Sequence, residues 1–305
     1  MVTVQIMNKS EIINYIEQSN RLPKINKEFT NIISILETSD SFDIDTLVDE
    51  ISKWPTLKTS LLTIINSGYF KIPKKVSSLK ESIMYLGTTT IHRLVLSYLI
   101  KCLLPDNLGR SNAIDRVKYL KHCLGTSIAA TAIADKLGLD DKYKYFAYGL
   151  VHDIGNAVLD ICLPGIINEV VKIELKGVHQ IVAERTVMEG CTHSNIGSWL
   201  CKKWNLPQDV NATVAYHHAP LLATEYIEEV SVMSIADSIS TLYYEKLLCL
   251  NTFYVLNETV ADSLGITMAD IEKISKELPD KVEDILKILN LSLIHISEPT
   301  RLALI

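Results

Sequence analysis

Residues 151–156 read VHDIGN, and this stretch decides how the rest of the chain is interpreted. It places an imidazole, His152, beside a carboxylate, Asp153, at the end of the apolar segment 146–151. A neutral imidazole and a carboxylate are both good ligands for divalent first-row metals. We therefore expect a metal site here if further ligands converge on the same point.

Further imidazole and carboxylate groups lie on both sides of this stretch, in segments with helical periodicity. Spacing along the chain does not establish that they meet, and a single histidine is more often a hydrogen-bonded structural residue. We interpret His92 and His179 in that structural sense. A His-Asp pair together with a His-His pair favours a shared site instead. The candidate metal ligands are His122, His152, Asp153, His193, His217, His218 and Asp237.

Helix signals recur along the chain, whereas an alternating strand pattern and internal repeats are not evident. The apolar residues of 44–51 follow helical spacing, and Pro55 fits the first turn of the next helix. Gly87 and Gly138 predict helix ends. Leu206-Pro207 is predicted to open the helix that carries His217 and His218. The predicted fold class is all-α.

Composition describes a folded protein with a substantial core. The chain has 305 residues, of which 48% are hydrophobic. Its richest apolar run, 94–104, is shorter than the roughly 18 residues of a membrane helix, so we expect no membrane span. A net charge of −6 offers no clustered basic surface, which argues against direct nucleic-acid binding. No secretory signal is evident at the start, so we expect a cytoplasmic location.

Several reactive or charged side chains receive ordinary structural interpretations. Glu184 and Arg185 are interpreted as surface charges that contribute little to stability. The cysteines include no closely spaced pair, which predicts buried thiols rather than disulfides or a cysteine metal site. These cysteines are Cys102, Cys123, Cys162, Cys191, Cys201 and Cys249.

The order of the motifs resembles the HD superfamily of metal-dependent phosphohydrolases, and most closely its HDOD branch. The resemblance spans about residues 22–250, and several separate motifs carry it in the same order. They are Leu22-Pro23, Trp54-Pro55, Asn66-Ser67-Gly68-Tyr69, Leu86-Gly87, His152-Asp153-Ile154-Gly155, Trp204-Asn205-Leu206-Pro207 and His217-His218.

The resemblance implies an N-terminal helical subdomain packed on an HD-like helical bundle. The segment 105–112 (PDNLGRSN) is polar and contains Pro and Gly, as a linker does. Residues 291–301, LSLIHISEPTR, resemble a translated sequencing adapter, so His295 is excluded from the candidate site. The predicted divisions are 1–104 for the N-terminal subdomain, 105–112 for the linker, 113–250 for the HD-like core, 251–290 for C-terminal helices and 291–305 for the tail.

The resemblance also implies how the ligands are used. One metal would be held by His122, His152, Asp153 and Asp237, and a second by Asp153 with His193, His217 and His218. One or two divalent ions (Fe, Mn, Zn or Mg) are the expected cofactors, and Asp153 would bridge a pair. Such a pair can activate water and neutralise phosphate charge during phosphoester hydrolysis.

Two departures disfavour hydrolysis of cyclic di-GMP. Phosphodiesterases of the superfamily that cleave this nucleotide usually have Lys where this chain has Asn156, and a Gly-Tyr-Pro element where it continues Ala219-Pro220. The HDOD resemblance implies a bacterial signal-transduction output or adaptor protein that contacts other signalling proteins. The alternative is a metal-dependent phosphohydrolase, a phosphodiesterase or nucleotidase. Metal, substrate and oligomeric state are left open.

Overall fold

The computed structural model describes residues 7–22, 31, 32, 35, 44–66, 72–103, 110–139, 142–242 and 257–294. Over these ranges the chain is helical and contains no β-strand, which confirms the all-α prediction. In chain order the helices are α1 (Lys9–Gln18), α2 (Ile44–Ser52), α3 (Pro55–Ile65), α4 (Leu79–Leu103), α5 (Arg116–Leu137), α6 (Lys142–Val151), α7 (Ile154–Cys162), α8 (Pro164–Glu174), α9 (Gln180–Val187), α10 (His193–Lys203), α11 (Gln208–Tyr216), α12 (Ile227–Thr241), α13 (Glu258–Leu264) and α14 (Met268–Ile294). A short 3₁₀ helix covers Pro220–Leu222.

The chain forms two compact units. The larger unit comprises Met1–Lys24 and Leu104–Pro279, and the smaller one comprises Ile25–Leu103 and Asp280–Ile305. All seven candidate ligands belong to the larger unit. The predicted division into subdomain, linker, core and C-terminal helices stays a prediction. Of the predicted linker, residues 110–112 are described and lie outside the helices, while 105–109 are outside the described residues.

Helix ends in both units follow the local backbone chemistry of Pro and Gly. Pro55 is the first residue of α3, where its missing N–H leaves no hydrogen bond unmade. Gly138 ends α5 with φ 69°, a left-handed conformation that favours glycine. Gly87, with φ 73°, interrupts α4 and separates two straight helical stretches. The predicted break at Gly87 and the predicted end at Gly138 are both observed.

The core of the larger unit contains a bundle in which α5 packs against α6 and α12, and α10 against α7 and α11. Two glycines permit these close approaches. A methyl group on Gly149 of α6 would overlap the backbone of Ser127 on α5. A methyl group on Gly155 of α7 would overlap the carbonyl group of His193 on α10. Helices carrying candidate ligands are therefore held closer together than larger side chains would allow.

The smaller unit buries an apolar stripe from α2 and α3. Leu47, Ile51, Leu57 and Leu61 are at most 1% exposed, and burying each such side chain stabilises the fold by about 1.5–3 kcal/mol. After α3, the Asn66 side chain accepts a hydrogen bond from the Val76 N–H and donates to the Val76 carbonyl. These bonds satisfy the backbone where the chain turns toward α4.

The predicted buried thiols are observed wherever the structure describes the cysteine side chain. Cys123, Cys162, Cys191 and Cys201 are buried free thiols, as predicted. The side chains of Cys102, Cys249, His92 and His295 lie outside the described residues.

Among the helices of the described ranges, none is by itself long and apolar enough to cross a membrane. One pair, Lys144–Cys162 with Pro164–Glu174, meets the length and composition criteria jointly, across a bend of 114°.

Candidate metal centre

The seven candidate ligands come from five parts of the larger unit and meet at one point. His122 lies in the middle of α5, while His152 and Asp153 form the turn between α6 and α7. The other four are the first residue of α10, two residues just past the end of α11, and one residue of α12. These four are His193, His217, His218 and Asp237.

One detail of the secondary structure differs from prediction. His217 caps the C-terminus of α11, and His218 lies in the following turn, so neither is inside the helix as predicted. A helix end allows adjacent side chains such as His217 and His218 to point toward the same site, which consecutive residues inside a helix cannot do.

We define site A as His122, His152, Asp153 and Asp237. Asp237 Oδ1 lies 3.1 Å from His122 Nε2 and 3.3 Å from His152 Nε2. The two Nε2 atoms are 3.2 Å apart, and Asp153 Oδ2 lies 3.4 Å from His122 Nε2. Ligand atoms held about 2.0–2.2 Å from one metal ion lie about 3–3.5 Å from each other, so this spacing fits a shared ion.

We define site B as Asp153, His193, His217 and His218. Asp153 Oδ1 lies 3.2 Å from His193 Nε2 and 3.5 Å from His217 Nε2. The Nε2 atoms of His193 and His217 are 3.4 Å apart. Candidate ligand atoms of all four residues lie within 4.8 Å of one another. Site B therefore also fits one ion, and Asp153 presents one oxygen to each site.

Hydrogen bonds to the second ring nitrogen orient three of the histidines. The Nδ1–H of His152 donates to the Gly149 carbonyl at 2.8 Å, and that of His217 donates to the Val214 carbonyl at 3.0 Å. His193 Nδ1 lies 2.7 Å from a carboxylate oxygen of Glu184. Each bond leaves Nε2 facing the cluster, which is the arrangement expected around protein-bound metals.

Glu184 corrects the sequence interpretation. It was expected to be a surface charge, but its side chain is fully buried and bonded to His193. The sequence contains a usable signal. Val187 is a buried apolar position of α9, and Glu184 precedes it by three residues, a spacing that places both side chains on one face of the helix. Its neighbour Arg185 is exposed, as expected.

Asn156, the residue that replaces the usual Lys, also lies inside the protein. It is fully buried in α7, and its Oδ1 accepts a hydrogen bond from Gln180 Nε2 at 3.3 Å. The same Gln180 amide donates to Glu184 at 2.8 Å. His179, interpreted as structural, caps α9 by accepting a bond from the Ile181 N–H. Asn156 therefore belongs to the internal scaffold of site B.

The pKa values of two histidines in site B are shifted in opposite directions. Burial lowers the pKa of His193, but Glu184 and Asp153 outweigh burial and raise that pKa to about 9. Burial lowers the pKa of His217 to about 4, and Asp153 only partly offsets it. His217 is therefore neutral and ready to act as a ligand at neutral pH. A metal ion at site B has to displace a proton from His193.

The cluster is enclosed on most sides. His122, His152, Asp153 and His193 are fully buried, and His217 is 1% exposed. The side chains of Asp237 and His218 retain 7% and 19% exposure. Solvent therefore reaches the cluster along the edge formed by α12 and the turn after α11.

The family model for the HDOD domain matches residues 22–220 of the chain, well over half of its length. The chain belongs to the HDOD family. This confirms the family resemblance inferred from the separate motifs. An HDOD protein with a His/Asp cluster of this composition has residues that fit one or two divalent ions.

Similar proteins extend the comparison. The HDOD chain is 22% identical over 237 residues to an uncharacterised protein of Treponema pallidum (strain Nichols), covering 77% of this chain and 45% of that protein. The chain thus spans less than half the length of this relative.

Two solved structures share the fold. A candidate signal transduction protein of Marinobacter aquaeolei VT8 has a TM-score of 0.74 at 17% identity, covering 95% of this chain and 67% of that one. A candidate phosphohydrolase of Shewanella amazonensis SB2B has a TM-score of 0.68 at 16% identity, covering 93% and 100%. At these identities the likeness shows the fold.

Proposed function

We propose that this chain is a bacterial signal-transduction output protein of the HDOD type, which binds one or two divalent ions at sites A and B and acts through protein contacts. The observation that carries the proposal is a complete ligand set in an enclosed cluster. Structural metal sites are closed by protein ligands, whereas catalytic sites keep a position open for water and substrate.

Ligand chemistry supports the metal-binding part of the proposal. Neutral imidazoles and carboxylates suit Fe, Mn and Zn, and hydrogen bonds at Nδ1 turn three Nε2 atoms toward the cluster. Removing so many buried polar groups from water is costly unless they are paired or coordinate a metal. Coordination of a metal satisfies together the nitrogen and oxygen atoms that face the cluster.

The output role is supported by what surrounds the cluster. Asn156 carries no charge with which to meet a substrate phosphate, and its side chain is occupied by Gln180. Three and four residues after His218, Leu221 and Leu222 are 73% and 67% exposed. Exposed apolar side chains are common in surfaces that contact other proteins. The likeness to the candidate signal transduction protein agrees with this role.

A second candidate function is metal-dependent phosphoester hydrolysis, and one observation favours it. The edge formed by Asp237 and His218 remains accessible to solvent, so a small phosphoester could approach sites A and B there. Divalent ions bound to this set would supply Lewis acidity and a water nucleophile of lowered pKa. Asp237, with one oxygen toward His122 and the other toward His218, would orient groups at this edge.

An activity comparison separates the two functions. The wild type and Asp153→Asn are loaded with Mn²⁺, Fe²⁺ or Zn²⁺ and assayed on bis(4-nitrophenyl) phosphate, 4-nitrophenyl phosphate, nucleoside phosphates and cyclic di-GMP. The output proposal predicts that the wild type is no more active than the variant on any of them. Turnover that requires metal and is lost in Asp153→Asn would establish the phosphohydrolase instead.

Protein contacts are tested separately, by crosslinking in a bacterium that encodes the chain. We expect one signalling protein to be captured reproducibly, and its binding to purified chain to depend on bound metal. A chain that contacts no protein under these conditions and hydrolyses a phosphoester would overturn the output role.

A further inference from the structure

Glu184 is a buried carboxylate that contacts one of the ligands in site B. We propose that Glu184 positions His193 as a metal ligand, and that Gln180 and Asn156 hold Glu184 in place. The inference rests on the proposed metal centre and adds to it a set of residues that the ligand motifs do not include.

Three hydrogen-bond donors fix the Glu184 carboxylate. Oε1 accepts from Gln180 Nε2 at 2.8 Å, and Oε2 accepts from the backbone N–H of His193 at 2.9 Å. The third donor is His193 Nδ1–H, at 2.7 Å from Oε1 and 2.9 Å from Oε2. Because the backbone and the ring of His193 bind the same carboxylate, both the position and the rotation of the imidazole are set.

The orientation of His193 matters because an imidazole can coordinate through either nitrogen. A strong acceptor at Nδ1 keeps the proton on that atom and leaves Nε2 to face Asp153 Oδ1, 3.2 Å away. A carboxylate in this position also makes the imidazole a more basic ligand. Loss of such a partner typically lowers metal affinity by about 10–100-fold.

Gln180 connects Glu184 to the VHDIGN turn. Its side-chain NH₂ group has two hydrogens, and the two acceptors within reach are Glu184 Oε1 and Asn156 Oδ1. Asn156 lies in the first turn of α7, three residues after the ligand Asp153. The network therefore joins the start of α7, next to Asp153, to the helix end that supplies His193, and these are two of the four ligands of site B.

A purely structural role for Glu184 makes a different prediction. His193 is the first residue of α10, and a carboxylate at a helix N-terminus stabilises the helix by binding free N–H groups. Asn195 supports the same N-terminus by accepting from the Thr192 N–H at 3.0 Å, without touching the imidazole. Asn195→Ala is thus a matched control that weakens the cap and leaves the ring bond intact.

The first measurement is a Mn²⁺ titration of the wild-type chain, Glu184→Gln, Gln180→Leu and Asn195→Ala, each checked for helicity and thermal unfolding. Glu184→Gln keeps the size of the side chain and removes its charge. We expect one of two binding steps to weaken about 10–100-fold, as for other partners of metal-bound histidine, with the other step unchanged. Gln180→Leu should weaken the same step less, and Asn195→Ala should lower thermal stability with both steps unchanged.

The second measurement needs no metal. In the proton NMR spectrum of the metal-free wild type, the His193 Nδ1–H should give a far-downfield, slowly exchanging signal, as a proton bonded to a carboxylate does. Glu184→Gln should move it upfield and speed its exchange, while Asn195→Ala should leave it in place.

Each outcome is decisive. The positioning role is overturned if Glu184→Gln keeps both Mn²⁺ binding steps at wild-type affinity, or if it and Asn195→Ala weaken binding equally. A wild type that binds no Mn²⁺ overturns the proposed metal centre and the ligand role of His193. The NMR signal then still decides whether Glu184 orients the ring.

Discussion

Sites A and B share Asp153 but differ in what holds their histidines. In site A, His152 donates to the carbonyl of Gly149, three residues earlier in the same segment. His122 Nδ1 has no hydrogen-bond partner among the residues that the structure describes. In site B, His193 is held by Glu184, a charged side chain from another helix. His217 of site B resembles His152, because its Nδ1–H donates to the Val214 carbonyl three residues earlier. The sites therefore differ at His193, which depends on a tertiary contact, whereas the oriented histidine of site A depends on local backbone geometry.

This difference predicts that the two sites respond differently to substitution. A backbone carbonyl is neutral and cannot be removed by mutation, so His152 keeps its orientation as long as α6 is intact. A carboxylate is a stronger acceptor than a carbonyl, and it can be replaced. We expect the metal affinity of site A to change little when surrounding side chains are substituted, and the metal affinity of site B to depend on them.

The largest effect is expected where the two sites meet. Asp153→Asn keeps the shape of the side chain but removes the charge that faces His122 on one side and His193 on the other. Loss of an orienting partner alone costs about 10–100-fold in metal affinity, so loss of the shared ligand should cost more than about 100-fold at both sites. The loss of metal is measured by elemental analysis of the variant and the wild type after dialysis against a weak chelator. Retention of one ion per chain would contradict the bridging role.

Two glycines offer a paired test of the comparison. Gly149→Ala should push α6 away from α5, the helix that carries His122. Gly155→Ala should push α7 away from the start of α10, where His193 lies. Each should destabilise the fold by about 1–3 kcal/mol, the usual cost of overpacking, measured by urea unfolding. In Mn²⁺ titrations, Gly149→Ala should weaken site A and Gly155→Ala site B. Equal loss at both sites from either variant would show that the sites are not separately supported.

A smaller effect is expected from pH in the metal-free chain. The pKa of His193 is raised to about 9, so between pH 6.5 and 9 the folded state binds more protons there than the unfolded state, and stability falls as pH rises. The pKa of His217 is lowered to about 4, so between pH 6.5 and 4 the unfolded state binds more protons, and stability falls as pH drops.

These two site B histidines should therefore give a stability maximum near pH 6.5, measured by urea midpoints across the range. Glu184→Gln should flatten the alkaline side, and His217→Gln the acidic side. A wild-type profile whose alkaline side is unchanged by Glu184→Gln would show that the two groups are not coupled as described.

The sequence predicted those parts of the molecule that depend on local chemistry. Pro55 and Gly138 mark helix ends because their backbone preferences act without tertiary contacts. The seven candidate ligands were recognised from their residue types, the family resemblance divided them between two metals, and the fold brings all seven together. Helical periodicity placed His217 inside α11, because the stop signal in the sequence, Pro220, comes three residues after His217 and does not fix the last helical residue.

Glu184 was missed for a different reason. A charged residue beside Arg185 is usually solvated, and Glu184 is buried where it binds His193, which only the fold brings to it. Asn156 was recognised as a departure from the pattern of cyclic di-GMP phosphodiesterases, but its bond to Gln180 is a tertiary contact. Residues that support ligands are therefore harder to predict than ligands, because their partners are distant in sequence.

The central claim is that seven residues hold ions in two adjacent positions bridged by Asp153. The most direct measurement is the metal content of the wild-type chain after loading with Mn²⁺ and dialysis, combined with electron paramagnetic resonance. We predict two Mn²⁺ ions per chain, with the spectrum of an exchange-coupled pair. A chain that retains no stoichiometric metal, or two ions without magnetic coupling, would contradict the account.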